Sequence, residues 1–261
     1  MSERALRVLK LFSFERPIWT AEEVAAACQV SVSSAYRFIA ILEEAGLLAM
    51  AQPKHYVLGP AIIQYDRQIQ LTDPLLIAAR PVMKDLIGLA PDETTLLLCR
   101  AFGHAVLCVY LEHAPGPQPD LSYQRGRPMP LFRGATSKII LAYSAPRSLK
   151  RIYEQNAEAI RGSGLGDDWL AFKGALAQIR RTGFTVSRNE VDTGAVGVAV
   201  PILTPDRVAV GSLSYVIPEP LADERLVGRL SAFAQAGARQ IEAAIADARP
   251  DAVKDPGPRR S

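Results

Sequence analysis

Cysteine is scarce, with only Cys28, Cys99 and Cys108 in 261 residues. The number is odd and no CxxC pair occurs, which argues against a disulfide framework or a zinc site. Histidine is equally rare. His55, His104 and His113 lack the H-x-x-x-H or H-E-x-x-H spacing of a metal-binding helix, so no metal is expected. No apolar run reaches the roughly 18 residues needed to span a bilayer. Arg7 and Lys10 interrupt the opening MSERALRVLKLF too early for a signal peptide, and a cytoplasmic protein without a membrane partner is expected. An excess of one charge is missing too: 30 Lys and Arg stand against 27 Asp and Glu, a net +3. Bulk charge therefore announces no nucleic-acid partner, and only a local basic face could do so. Gly162-Ser163-Gly164-Leu165-Gly166 lacks the Gly-Lys-Ser/Thr ending of a phosphate loop. It reads as a flexible connection, and no cofactor is expected.

What is present is an ordinary globular composition, 49% apolar and 22% charged, long enough for one large domain or two small ones. In the first sixty residues, Ala5, Leu6, Leu9 and Phe12 recur at helical spacing and predict a helix over 4–14. Thr20-Ala21-Glu22-Glu23 is a capping box that opens a second helix through Cys28. Ser31 caps a third, whose Ala35, Phe38, Ile39 and Leu42 form one apolar stripe and whose end is marked by Gly46. Residues 47–50 and 55–58 flank a polar, Pro-containing tip and predict a hairpin. A connecting helix with Ile62, Ile63, Tyr65 and Ile69 follows, and Asp73-Pro74 restarts the chain. The helix over 75–88 should kink or begin at Pro81.

Beyond it, strands are expected at 94–100, 105–111, 120–124, 184–188, 196–203 and 208–217. Helices are expected at 136–144, 148–157, 168–182 and 222–248. The short joints at 102–104 and 204–207 imply antiparallel pairing, with helices covering the sheet. The class is α+β. The tail, 249–261, rich in Pro and charge, is expected to be disordered.

A 100° step per residue places Ser33, Arg37 and Ala40 opposite the buried stripe of the third helix, with Ser34 and Tyr36 on its flanks. Small hydroxyl side chains, Ser31 included, let that end approach a duplex closely. Arg37 can reach a guanine edge or a phosphate, and Tyr36 can donate to a phosphate. Lys54 and His55 at the hairpin tip would lie on an adjacent groove as a wing. The plainer alternative is a three-helix unit for protein contacts, since residues 1–60 carry six basic and six acidic side chains.

Four ordered stretches resemble the winged helix-turn-helix of IclR-type bacterial transcriptional regulators. They are Glu3-Arg4-Ala5-Leu6-x-Val8-Leu9-x-Leu11-Phe12, Ala21-Glu22-Glu23-Val24-Ala25, Ser34-Ala35-Tyr36-Arg37-Phe38-Ile39 through Leu48, and Tyr56-x-Leu58-Gly59-Pro60. The likeness continues at Gly126 to Leu131, Gly134 to Lys138, Glu190 and Gly194 to Pro201. It implies a winged helix-turn-helix over 1–59, a linker helix over 60–74, and a GAF-like effector domain with a curved antiparallel sheet over 75–248. The implied partners are an operator duplex, a small organic acid, and a second copy in a dimer or a dimer of dimers.

The residues suggest a ligand site on their own terms as well. Gly134-Ala135-Thr136-Ser137 is a small run opening a helix, whose amides and dipole would seat a carboxylate. Gly197, Val198 and Ala199 leave room in a strand. Leu97, Met129 and Leu131 would form apolar walls, and Ser187 and Glu190 would orient a polar substituent. Arg133 stands where the family more often has a small polar residue and favours an anionic ligand. Ser187 stands where some members carry an acid. A hydrolase built on Ser137 is the enzymatic alternative, but no sequence-evident base accompanies it.

Overall fold

The computed structural model describes residues 2–117 and 120–247, so the expected disordered tail lies outside the described residues. The chain divides into two compact units between Asp73 and Pro74.

In the first unit, α1 (Ser2–Leu9), α2 (Ala21–Cys28) and α3 (Val32–Glu44) pack around Ala5, Val8, Val24, Ala35, Phe38, Ile39 and Leu42. The first helix is shorter than its apolar spacing predicts. After Leu9 the chain tightens into turns in which Lys10 and Leu11 donate to the carbonyls of Arg7 and Val8. Val8, not Leu6, is the buried partner of Ala5. The capping box is formed: the Glu23 amide donates to Thr20 Oγ1 at 3.3 Å and the Thr20 amide to Glu23 Oε2 at 2.8 Å. That backbone bond, with Arg16 beside it, holds the Glu23 carboxyl below its ordinary range. Strands β1 (Trp19–Thr20), β2 (Leu48–Gln52) and β3 (His55–Leu58) form a small antiparallel sheet in the order β1-β3-β2. Helix α4 (Ala61–Thr72) closes the unit and buries none of its residues within it.

The turn after α3 decides how α4 starts. Gly46, at φ +68°, donates to the Glu43 carbonyl, and Leu47 donates to that of Leu42. These two bonds make a Schellman stop. Gly59 then crosses directly over it, and a Cβ there would stand 2.3 Å from the Gly46 oxygen and 2.7 Å from that of Leu48. Gly59→Ala is expected to destabilise this unit by about 1–3 kcal/mol, the usual cost of forced overpacking. A denaturant midpoint equal to wild type would refute that.

The second unit begins with α5 (Pro74–Ile87), which is already helical before Pro81 and does not begin there. Pro81 removes the hydrogen bond to Ile77, and Ile77 lies on the exposed side of the helix. There follow β4 (Thr95–Phe102), β5 (Ala105–His113), β6 (Pro128–Pro130), α6 (Gly134–Ala142), α7 (Pro146–Arg161), α8 (Trp169–Thr182), β7 (Thr185–Arg188), β8 (Ala195–Leu203), β9 (Ala209–Pro218) and α9 (Glu224–Asp247). All six strands pair antiparallel in the order β6-β5-β4-β9-β8-β7. The expected strand at 120–124 is absent. Leu121 and Tyr123 there point inward from irregular chain, and the edge pairing with β5 is made by 128–130 instead.

Each strand alternates between two cores. Leu96, Leu98, Val196, Val198, Val200, Leu213, Tyr215 and Ile217 pack on the α5 and α9 side. Leu97, Cys99, Ala199 and Val216 pack on the side of α6 and α8. The sheet is thus a curled antiparallel layer between helices, and its α6 face carries the candidate ligand pocket. Among the described residues no single helix is long and apolar enough to cross a membrane.

Candidate nucleic-acid interface and ligand pocket

The axes of α2 and α3 turn by 108°, within the range of a helix-turn-helix. Gln29 makes the corner in a left-handed conformation, φ 56°. Ser31 caps α3, with its Oγ accepting from the Ser34 amide at 3.2 Å, while the Ser31 hydroxyl donates to Ser34 Oγ at 2.9 Å. Ser33, Arg37 and Ala40 are exposed, opposite the buried stripe of Ala35, Phe38, Ile39 and Leu42. The Arg37 guanidinium lies 5.8 Å from the Phe38 ring centroid and remains on the surface. Tyr36 departs from a free phosphate donor, because its hydroxyl reaches Glu22 Oε1 at 3.4 Å. Lys54 and His55 are both exposed at the β2–β3 tip. There Lys54 has φ 65° and His55 Nδ1 lies 2.9 Å from the Pro53 carbonyl.

The expected seat for a carboxylate at the start of α6 is already filled from within the chain. The Gly134 amide donates to Glu190 Oε2 at 3.1 Å and the Ala135 amide to Ser187 Oγ at 2.9 Å. Those amides are therefore not free. Arg133 donates to the Glu190 carbonyl. Lys138, the next basic residue, donates to Glu190 Oε1 at 2.8 Å, lies 2.7 Å from Oε2, and also reaches the Ser163 carbonyl at 2.7 Å. The Lys138 and Glu190 side chains are 8% and 30% exposed. The loop carrying Ser163, read from its glycines as flexible, is accordingly packed, with Leu165 buried and Gly166 against Ala171.

Gly134, Ala135, Thr136, Ser187, Glu190 and Gly197 line one small cavity of about 20 Å³, room for a single water. Gly197 matters sterically, since a Cβ there would meet Ser187 Oγ at 3.0 Å and Ala135 at 3.3 Å. Ser137 is buried beside this cavity, and its Oγ lies 2.7 Å from the Tyr123 hydroxyl. Leu97, Met129, Leu131 and Ala199 belong to the surrounding α6-side packing and do not line the cavity. Val198 is misplaced by the sequence reading, because strand alternation turns it into the opposite core with α5 and α9.

Tyr123, Val191, Asp192, Ala195 and Val216 complete the lining. The two-residue period of β8 could have identified Ala195, and its pairing of Gly197 with Val216 brings in the latter. Tyr123 gave no signal, being placed by irregular chain. Asp192 anchors that chain by accepting from the Ser122 amide at 3.1 Å and its hydroxyl at 2.5 Å. Burial raises the Tyr123 phenol far above its ordinary value, with the Ser137 hydrogen bond opposing. Tyr123 therefore stays protonated at neutral pH and cannot serve Ser137 as a base.

A winged helix-turn-helix in one unit and a curled sheet flanked by helices in the other define a DNA-binding transcriptional regulator. The helix-turn-helix profile of the IclR family matches residues 3–50, and the profile for the bacterial transcriptional regulator IclR C-terminal domain matches residues 71–243. The chain belongs to the IclR family of bacterial transcriptional regulators, which are not enzymes. It is 27% identical to the HTH-type transcriptional regulator KipR of Bacillus subtilis over 81% of this chain and 83% of that one. It is 25% identical to BhcR of Paracoccus denitrificans over 94% and 86%.

Among solved structures, an IclR regulator from Alicyclobacillus acidocaldarius superposes with a TM-score of 0.76 at 22% identity, covering 94% of this chain and 98% of that one. An IclR homolog from Microbacterium hydrocarbonoxydans, complexed with 4-hydroxybenzoate, gives 0.75 at 20% identity over 94% and 98%. At that identity the two structures support the fold.

Proposed function

We propose that this chain reads an operator through α3 and the β2–β3 wing and changes its affinity for that operator when a small organic acid enters the α6 pocket. Residues 1–59 serve as the reading domain, 60–74 as the linker and 75–248 as the sensor. Ser31, Ser33, Ser34 and Tyr36 approach the backbone, Arg37 reads a base edge, and Lys54 and His55 contact an adjacent groove. One winged helix covers too few base pairs for useful specificity, so the chain acts as a dimer, singly or paired again. Ile63, 74% exposed, with Tyr65 and Ile69 also exposed on α4, supplies apolar surface for that pairing.

The observation that carries the sensing half is chemical. The first turn of α6 and the Lys138 ammonium together hold a carboxylate, that of Glu190, and a ligand of the same chemistry can compete for that place. The aromatic acid held by the Microbacterium relative is consistent with this class.

Selection of duplexes from a random pool by the full chain tests both halves. Enriched sequences should contain two half-sites about 10 base pairs apart, or a multiple of that. Their affinity should fall steeply as salt rises. Carboxylates that act on the pocket should change that affinity by roughly 5–150-fold. No enriched sequence, or binding indifferent to salt, would overturn the reading half. A panel of aliphatic and aromatic carboxylates without effect would overturn the sensing half.

A further inference from the structure

A second and far larger cavity lies away from the Glu190 pocket, between the α6–α7 junction, α8 and the β8–β9 hairpin. It measures about 570 Å³, within the size range of small-molecule sites, against about 20 Å³ at the start of α6. Its walls are Tyr143, Pro146, Leu149, Trp169 and Leu176, and three cations, Lys173, Arg180 and Arg207, line it with one carboxylate, Asp206. None of the three cations has a carboxylate partner within ion-pair distance among the described residues.

The three cations are exposed residues whose side chains lie beside the cleft's own groups. Arg180 donates to the Ala142 carbonyl at 2.7 Å while its own carbonyl accepts from the Tyr143 hydroxyl at 3.3 Å. The Lys173 ammonium sits 5.7 Å from the Trp169 ring centroid, and the Arg207 guanidinium 6.0 Å from that of Tyr143. Trp169 is braced from behind by Tyr153 and Phe172, with centroids 5.4 Å and 5.8 Å away. Arg207 occupies the hairpin tip at φ 62°, a left-handed position that glycine or asparagine would take at less cost.

We propose that this cleft is a second ligand site, for an aromatic carboxylate. The ring lies among Trp169, Tyr143 and Leu176, and the carboxylate meets Arg207 and Lys173. Aromatic walls and cations without carboxylate partners lining one concave site suit this class: an uncharged ring leaves the cations unmet, and an inorganic anion leaves the apolar wall wet.

The chain has two tryptophans, Trp19 and Trp169. Incorporation of 5-fluorotryptophan therefore gives two ¹⁹F resonances, which a Trp19→Phe sample assigns. Titration of the full chain with sodium benzoate should move the Trp169 resonance saturably and leave that of Trp19 in place. The double variant Arg207→Gly, Lys173→Gln should weaken this response by about tenfold or more, the loss of charge-assisted bonds. Glycine relieves the left-handed strain at 207 and Lys173 is exposed, so unchanged remaining ¹⁹F and thermal behaviour would show that the fold survives. Benzamide, the neutral isostere, should also bind at least about tenfold more weakly. A Trp169 resonance unmoved by benzoate, a response that persists in the double variant, or equal binding of benzamide would each overturn the proposal.

Discussion

Glu190→Ala is expected to cost the second unit about 3 kcal/mol, no more than the lower end for removing one partner of a buried ion pair because Glu190 is 30% exposed. At roughly 2–4 °C per kcal/mol for a unit of this size, the melting temperature should drop by about 6–12 °C. The loss comes from what remains. Lys138 is left with only the Ser163 carbonyl at 2.7 Å to accept from it, and the Gly134 amide loses its acceptor. Glu190→Gln, which keeps the shape and a carbonyl oxygen but no charge, should fall between wild type and the alanine variant.

The same variant examines the sensing proposal separately. With the internal carboxylate gone, added acetate should raise the melting temperature of Glu190→Ala more than that of wild type, because it binds the folded form at the vacated place. A variant that melts within about 1 °C of wild type would show that the pair contributes no stability. A destabilised variant that acetate does not rescue would leave the ion pair standing and remove the competition argument.

Arg37→Ala is expected to weaken binding to selected duplexes by about 1–3 kcal/mol per reading helix, and by about twice that where two helices engage a symmetric site. Arg37 is exposed and outside the stripe that fills the first core, so stability should stay within about 0.5 kcal/mol. Affinity measured by fluorescence anisotropy on a labelled selected duplex, beside a denaturant titration of the same sample, separates the two effects. Undiminished affinity in a folded variant would move the reading surface away from this face of α3.

The contrast between these two sites shows what a sequence can disclose. The stripe of α3 and its caps lie within sixteen residues, where the 3.6-residue period and capping chemistry act locally, and Ser31, Phe38, Leu42 and Gly46 stand where their types predict. The pocket joins residues that are distant in the chain: Gly134 meets Glu190 across 56 positions. Local chemistry marked the start of α6 as favourable to a carboxylate, but nothing local could say that the chain would supply its own. Val198 was misassigned because a run of small and β-branched residues buried on both faces hides which side each one takes. Tyr123 was beyond reach for another reason, since irregular chain held by Asp192 has no period to read. Pro81 shows the limit of a local rule, as packing of Leu76, Ala79 and Met83 into the sheet core carries α5 through it.

The crossing of Gly59 over the Gly46 stop has a mechanical consequence. The Gly59 amide donates to the Leu47 carbonyl at 2.8 Å and the Ala61 amide to that of Gly46 at 3.0 Å. The base of α4 is thereby tied by backbone hydrogen bonds to the turn that ends α3. In the proposed reading of α3, a rotation of α4 is passed to that helix through this one hydrogen-bonded turn.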